Sequence, residues 1–175
     1  MKPKNMQAGV RGTILGLSLA LTVGGAAAEE EPGLVTFRTL SPELALELAQ
    51  ATLAACRERG FQVAVAVTDR SGLLQVLLRD RYAGPHTVEV ATRKAWTAVS
   101  FRTDTLTMME ETQAGKPQSG VRFISQAMMV GGGRTVEVAG SMVGGIGVSG
   151  APGGDQDDVC AEAGLAAIAD RLAFL

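Results

Sequence analysis

Apolar and polar residues along this chain mark out helical stretches and short strand-like runs, and the elements they predict interleave. From Ser41-Pro42-Glu43, an N-cap residue, a first-turn proline and an early acid start a helix. Leu44, Leu48, Ala51 and Ala55 give it one apolar face, and Gly60 after Arg57-Glu58-Arg59 stops it at Arg59. Phe61–Thr68 (FQVAVAVT) and Leu73–Arg79 (LLQVLLR) are valine- and leucine-rich runs joined by Asp69-Arg70-Ser71-Gly72, which predicts a β-hairpin. Gly84-Pro85 breaks the chain before a second helix, Thr87–Phe101, whose Val88, Ala91, Ala95, Ala98 and Val99 share a face.

Asp104–Glu111 adds a helical turn or two, and Gln113–Gly120 reads as loop. Phe123–Val130 has no clear period. Thr135–Ala139 and Met142–Ser149 then form a second hairpin through Gly140-Ser141. Gly144, Gly145 and Gly147 in its second strand cannot fill a core, so they mark the approach of a helix, a subunit or a ligand. An Ala-rich helix follows, opened by Asp155 with Asp158 three residues on and carried by Val159, Ala163, Ala166, Ala167 and Leu172 to the end. This order of helix, hairpin, helix, hairpin, helix predicts an α/β fold in which an antiparallel sheet of two hairpins is flanked by helices.

The first 28 residues have a different pattern. They carry Lys2, Lys4 and Arg11 but no acid, then an uncharged run, Gly12–Ala28, with the apolar centre TILGLSLALTV and the small residues Ala26-Ala27-Ala28. The apolar centre is about half the roughly 20 residues a membrane-spanning helix needs. The pattern predicts a signal peptide over 1–28, cleaved near Ala28, with no membrane span after processing. A lead-in segment over 29–39 and a single domain over 40–175 remain, and the expected location is periplasmic or secreted.

Processing removes three bases and no acids, so the formal charge of −2 becomes −5. Such an acidic chain is not a nucleic-acid binder on charge grounds. Five Phe, one Trp and one Tyr against abundant Ala, Val, Leu and Gly mean a core of small aliphatic side chains and close backbones. Cys56 and Cys160, on the first and last predicted helices, meet an oxidising compartment after export. They bridge if those helices pack side by side, and otherwise serve as small core residues.

Familiar catalytic patterns are missing. A single histidine rules out a two-histidine metal site within one subunit, and no Cys-x-x-Cys or His-Glu-x-x-His occurs. Gly145-Ile146-Gly147-Val148-Ser149-Gly150 matches the spacing of a dinucleotide fingerprint, but Ala151-Pro152-Gly153-Gly154 follows it rather than a helix, and no acidic-ended second strand comes about 20 residues later.

Three segments carry a resemblance: Val143-Gly144-Gly145-Ile146-Gly147-Val148-Ser149-Gly150-Ala151 with Asp157 and Ala161 after it, Lys94-Ala95-Trp96-Thr97-Ala98, and the hairpin Ala64–Gly72. Together they resemble the GlcG/HbpS family of haem-binding proteins, over about Leu40–Leu172. The resemblance implies a profilin-like sandwich, homo-oligomers and, in some members, haem binding, with haem breakdown or a related tetrapyrrole role. The chain departs from the family's pattern at Arg79-Asp80-Arg81-Tyr82-Ala83-Gly84-Pro85 and at Gly132-Gly133-Arg134-Thr135.

Haem asks for an axial ligand, an apolar slot and cations for its propionates. His86, just after Gly84-Pro85, is the candidate ligand to the haem iron, against the plainer reading of a solvent-facing residue at a helix start. Tyr82 is a second candidate or a packing residue. Met108-Met109 and Met128-Met129 offer thioethers or core filler. Arg79, Arg81, Arg93, Lys94 and Arg102 can meet propionates or line a charged helix face. Trp96 either stacks on a flat ring or sits in the core, and Asp69 caps its turn.

These features point first to an exported haem- or tetrapyrrole-binding protein for sequestration, sensing or breakdown. A non-catalytic accessory subunit of an exported oxidoreductase is one alternative. A small-molecule enzyme using His86, with Asp80 or Tyr82, is the other; the absence of paired carboxylates or an activated nucleophile weighs against catalysis.

Overall fold

The computed structural model describes residues 33–173. The expected signal peptide and its cleavage site lie outside the described residues. The chain divides into two units, 1–35 and 36–175, and the second holds the elements that follow.

Helix α1 spans Pro42–Glu58, with the Ser41 hydroxyl accepting the Leu44 N–H at 3.3 Å and Arg59 as its C-cap. Its buried side is Leu44, Leu48, Thr52 and Cys56 with Ala45, Ala49 and Leu53. The expected stripe through Ala51 and Ala55 is therefore displaced by one residue, and both alanines are half-buried. The reason is that α1 packs against a helix as well as the sheet, and Thr52 and Cys56 face that helix.

The two hairpins form where the apolar runs and their turns predict: β1 is Ala64–Asp69 and β2 Leu74–Arg79, β3 is Gly133–Val138 and β4 Ser141–Ser149. They join into one antiparallel sheet of order β2-β1-β4-β3. In β1 the period-two pattern sends Val65 and Val67 to one face and Ala64 and Ala66 to the other. The valine face joins Ile146 and Val148 of β4, Leu48 of α1 and Ala161 of helix α4 (Gly154–Ala167) in the main core. The alanine face carries helix α2, His86–Phe101, through Ala91 and Ala95.

Gly147 is the closest approach in the sheet. A β-carbon there would lie 2.0 Å from the Ala91 carbonyl oxygen, so α2 can rest on β4 only because the strand is bare at that point. Of the three alternatives for these glycines, a helix is the one that closes on Gly145 and Gly147.

After α2, helix α3 (Thr105–Glu111) and a 3-10 turn (Ser119–Phe123) lead into the segment that had no clear period. That segment runs without regular structure to Gly131, held by arginines instead of a ladder. Arg122 donates to the carbonyls of Met109 and Thr112, and Arg93 to those of Ser125, Gln126 and Ala127. Met108, Ala127 and Met129 form a small core beneath it with Trp96 packed alongside, so these methionines and the tryptophan are packing groups.

The last helix departs from expectation at both ends. It starts at Gly154 with Gly153 as N-cap and no side-chain cap, because Asp158 is drawn to Arg134 at 2.7 Å and does not close a capping box. It also breaks at Ile168, whose N–H turns to the Leu165 carbonyl, and a short α5, Ala169–Ala173, follows. Cys56 of α1 and Cys160 of α4 are joined by a disulfide, with Cα atoms 5.3 Å apart.

Candidate functional site

Gly84-Pro85 ends the first hairpin and starts α2, and it sets His86 at the first position of that helix. Thr87 fastens the turn: its hydroxyl donates to the Gly84 carbonyl at 2.7 Å and its N–H to the same oxygen at 3.0 Å. The imidazole folds back over Gly84, where a β-carbon would meet Cε1 at 2.7 Å and Nδ1 at 2.9 Å. His86 is therefore exposed yet directed, on the rim of a cleft of about 560 Å³. That size is within the usual range of small-molecule sites, ~300–1,000 Å³.

Phe61 and Gln62 beyond α1, Tyr82, Val90 of α2, Val130 and the loop Ser149–Gly154 make the other walls. The floor is an ion pair. Lys94 Nζ donates to Asp157 Oδ2 at 2.8 Å and to the Val148 carbonyl at 2.9 Å, while Asp157 Oδ1 accepts the Ala151 N–H at 2.9 Å. Lys94 is 1% and Asp157 4% exposed. Burial pushes the Lys94 ammonium below its ordinary value although Asp157 and Asp158 pull it back, and it pushes the Asp157 carboxyl up although Lys94 opposes it. Desolvation thus outweighs mutual attraction on both sides of the pair.

This pair fixes three strands of chain at once: α2, the end of β4 and the loop entering α4. Gly132 makes room for it, with φ +109° and a would-be β-carbon 2.6 Å from Asp157 Cβ and 3.1 Å from Lys94 Nζ. The chain of contacts explains why the glycine-rich run at Gly145–Gly154 is followed by a helix whose first turn is acidic.

The sequence candidates are sorted by these contacts. His86, Tyr82 and Lys94 meet at the cleft. Tyr82 is 79% exposed, and the Arg81 guanidinium stands 6.0 Å from its ring centre. Arg79 is turned to the Ala83 carbonyl at 2.6 Å, and Arg93 is occupied by Glu89 and the 125–127 carbonyls. Lys94, a candidate for propionates or for a charged helix face, is instead the buried floor, because its position lies on the Ala91–Ala98 side of α2. Asp80 is outside the cleft: it is buried at the end of β2 and takes the Arg57 Nε–H at 2.9 Å. Arg102, at the far end of α2 in the left-handed region, is also remote from His86.

Sequence reasoning missed Asp157 as a site residue. Its partner is 63 positions away, and the signal was its place, three residues beyond Gly154, in the motif that carries the resemblance. It also missed the loop itself, Gly150–Gly154, as a wall.

The family model for haem-degrading HbpS-like proteins matches residues 40–166. A double mutant of HbpS from Streptomyces reticuli is 37% identical, with a TM-score of 0.72 over 81% of this chain and 94% of that one. A crystal structure of a PduOC:haem complex is 30% identical, with a TM-score of 0.70 over 74% of this chain and 95% of that one. The corrinoid adenosyltransferase PduO of Citrobacter freundii is 34% identical over 141 residues, 76% of this chain but 42% of the relative. The chain thus spans less than half the length of that curated relative.

Proposed function

The chain belongs to the HbpS-like family of haem-degrading proteins, and from that premise we propose that it is an exported haem-binding protein that seats haem in the His86 cleft. The observation that carries the reading is the directed imidazole on the rim of a cleft with partly apolar walls and a rigid floor. A relative of 30% identity in complex with haem supports it. Haem, when bound, supplies an iron that takes an axial ligand from the protein.

The residues present fit such a group. His86 offers a nitrogen at the rim, and Phe61, Val90, Val130 and Pro152 offer apolar walls. Arg81, whose guanidinium stands 6.0 Å from the ring centre of the cleft residue Tyr82, is the propionate partner in this reading. Arg79, Arg93 and Lys94 serve by holding the cleft's shape. Lys94 and Asp157 exclude water from below and keep the 149–154 loop in place.

Export is supported by the leader pattern of residues 1–28 and by a disulfide suited to an oxidising compartment. Binding and sequestration is the role favoured, since no pair of carboxylates faces His86 within the cleft. Self-association is proposed with it, as an exported homo-oligomer.

Hemin titration of the purified protein tests the function. A saturable Soret shift that His86→Ala reduces at least tenfold in affinity is expected. No shift overturns haem binding, and a shift unchanged in His86→Ala overturns the ligand assignment. Steady loss of the bound Soret band with iron release, under dioxygen and a reductant, would replace sequestration by breakdown. Cell fractionation with N-terminal sequencing tests export, the expected mature start being Glu29.

A further inference from the structure

A separate pocket of about 310 Å³ opens where the N-terminal end of α1 meets the turn end of β3 and β4. Its floor is apolar: Leu40, Leu44, Val138 and Val143, at 3%, 6%, 7% and 3% exposure. Its mouth carries two guanidinium groups, Arg38 and Arg171. The hydroxyls nearby are already engaged, Thr39 donating to the Val143 carbonyl and Ser41 accepting the Leu44 N–H, each at 3.3 Å. The arginines are not fully engaged. Arg171 gives one nitrogen to Glu47 at 2.8 Å in an exposed pair, and Arg38 has no ion-pair partner among the described residues. Exposed pairs of that kind are weak, whereas a bidentate guanidinium–carboxylate contact is strong and directional.

Two cations at the mouth of an apolar pocket, on a chain of net negative charge, select a molecule with an alkyl body and an anionic head. We infer that this pocket is a second ligand site, for a small monocarboxylate with a short to medium alkyl chain. Its volume is at the lower end of the ~300–1,000 Å³ typical of ligand sites, which excludes bulky bodies. The site is independent of the His86 cleft. One touches β4 at Val143 and the other at Ser149, roughly 20 Å apart at a rise of ~3.3 Å per residue.

Calorimetric titration of the purified protein with butanoate, hexanoate, octanoate and octan-1-ol decides the matter. Affinity is expected to rise about fourfold per methylene along the acids until the floor is covered. The alcohol is expected to bind at least tenfold more weakly than octanoate. Arg38→Gln/Arg171→Gln should lose octanoate at least tenfold while keeping the wild-type thermal midpoint and hemin response; both arginines are exposed, and Arg38→Gln alone serves if the pair of changes impairs folding. No binding of octanoate, equal binding of the alcohol, or full binding by the glutamine variants overturns the site. None of these results bears on the His86 cleft, whose own test is the Soret shift.

Discussion

The two faces of the sheet are stabilised by different means. On the α1–α4 face, Val65, Val67, Ile146, Val148, Leu48 and Ile168 fill a thick aliphatic layer, and the Cys56–Cys160 bridge ties its two helices. On the α2 face the side chains are mostly small: Ala64, Ala66, Ala91 and Ala95, with Leu77, Val88 and Val99 beside them, meet bare Gly145 and Gly147, and backbone proximity and one buried ion pair add to the cohesion. A thick core spreads the effect of a small change over many neighbours, whereas a thin one has no slack. The cleft lies against the thin face, where a single helix, α2, supplies both rim and floor. Rigidity there is what holds His86 and the 149–154 loop in a fixed relation.

Substitutions can break this contrast, beginning with the thin face. Gly147→Val should have the largest effect, about 4–5 kcal/mol or more, since its side chain would run into the Ala91 carbonyl; urea denaturation or loss of soluble protein reads it. Lys94→Met should cost about 3–5 kcal/mol by leaving Asp157 charged and unpaired. Lys94→Met/Asp157→Asn should recover much of that, because the amide still accepts the Ala151 N–H.

The pH response of Lys94→Met has a definite sign. Burial holds the folded Asp157 carboxyl above its ordinary 3.8 even against the pull of Lys94, and removing that cation raises it further, so the folded variant binds an extra proton over a wider window above 3.8 than the wild type does. Its stability deficit should therefore shrink as pH falls through this window and grow as pH rises, which denaturation midpoints at several pH values will report. On the thick face, Cys56→Ala/Cys160→Ala should cost about 2–4 kcal/mol, matched by adding reductant to the wild type. The smallest change is Ser41→Ala, about 1 kcal/mol for a lost N-cap on a helix otherwise held by its core.

Much of the architecture was legible because local rules and burial agree. Ser41-Pro42 and Gly60 bound α1, the valine-rich run before Asp69-Arg70-Ser71-Gly72 marks the first hairpin, and Gly84-Pro85 marks the start of α2. The start of the last helix differs from the expected capping box because Asp158 has a stronger partner, Arg134 of β3, which no local pattern announces. The site was legible only at its rim. His86 and Tyr82 are conspicuous by type, but the fate of the cations depends on orientation. Arg93 and Lys94 are neighbours in sequence, and the helix turns one to the 125–127 carbonyls and the other inward to Asp157. The hint was present, since Lys94 follows Ala91 by three residues on the buried side; its partner was not, being set by how α4 returns to the sheet.

The bridge between α1 and α4 encloses a loop of 104 positions that contains all four strands. A protease that cuts once in the irregular stretch between α3 and β3 therefore releases nothing: both fragments remain covalently one molecule until a reductant is added. The order of maturation follows as well. The link cannot close until Cys160 has followed the whole sheet out, so it can form only on a chain in which all four strands are already present.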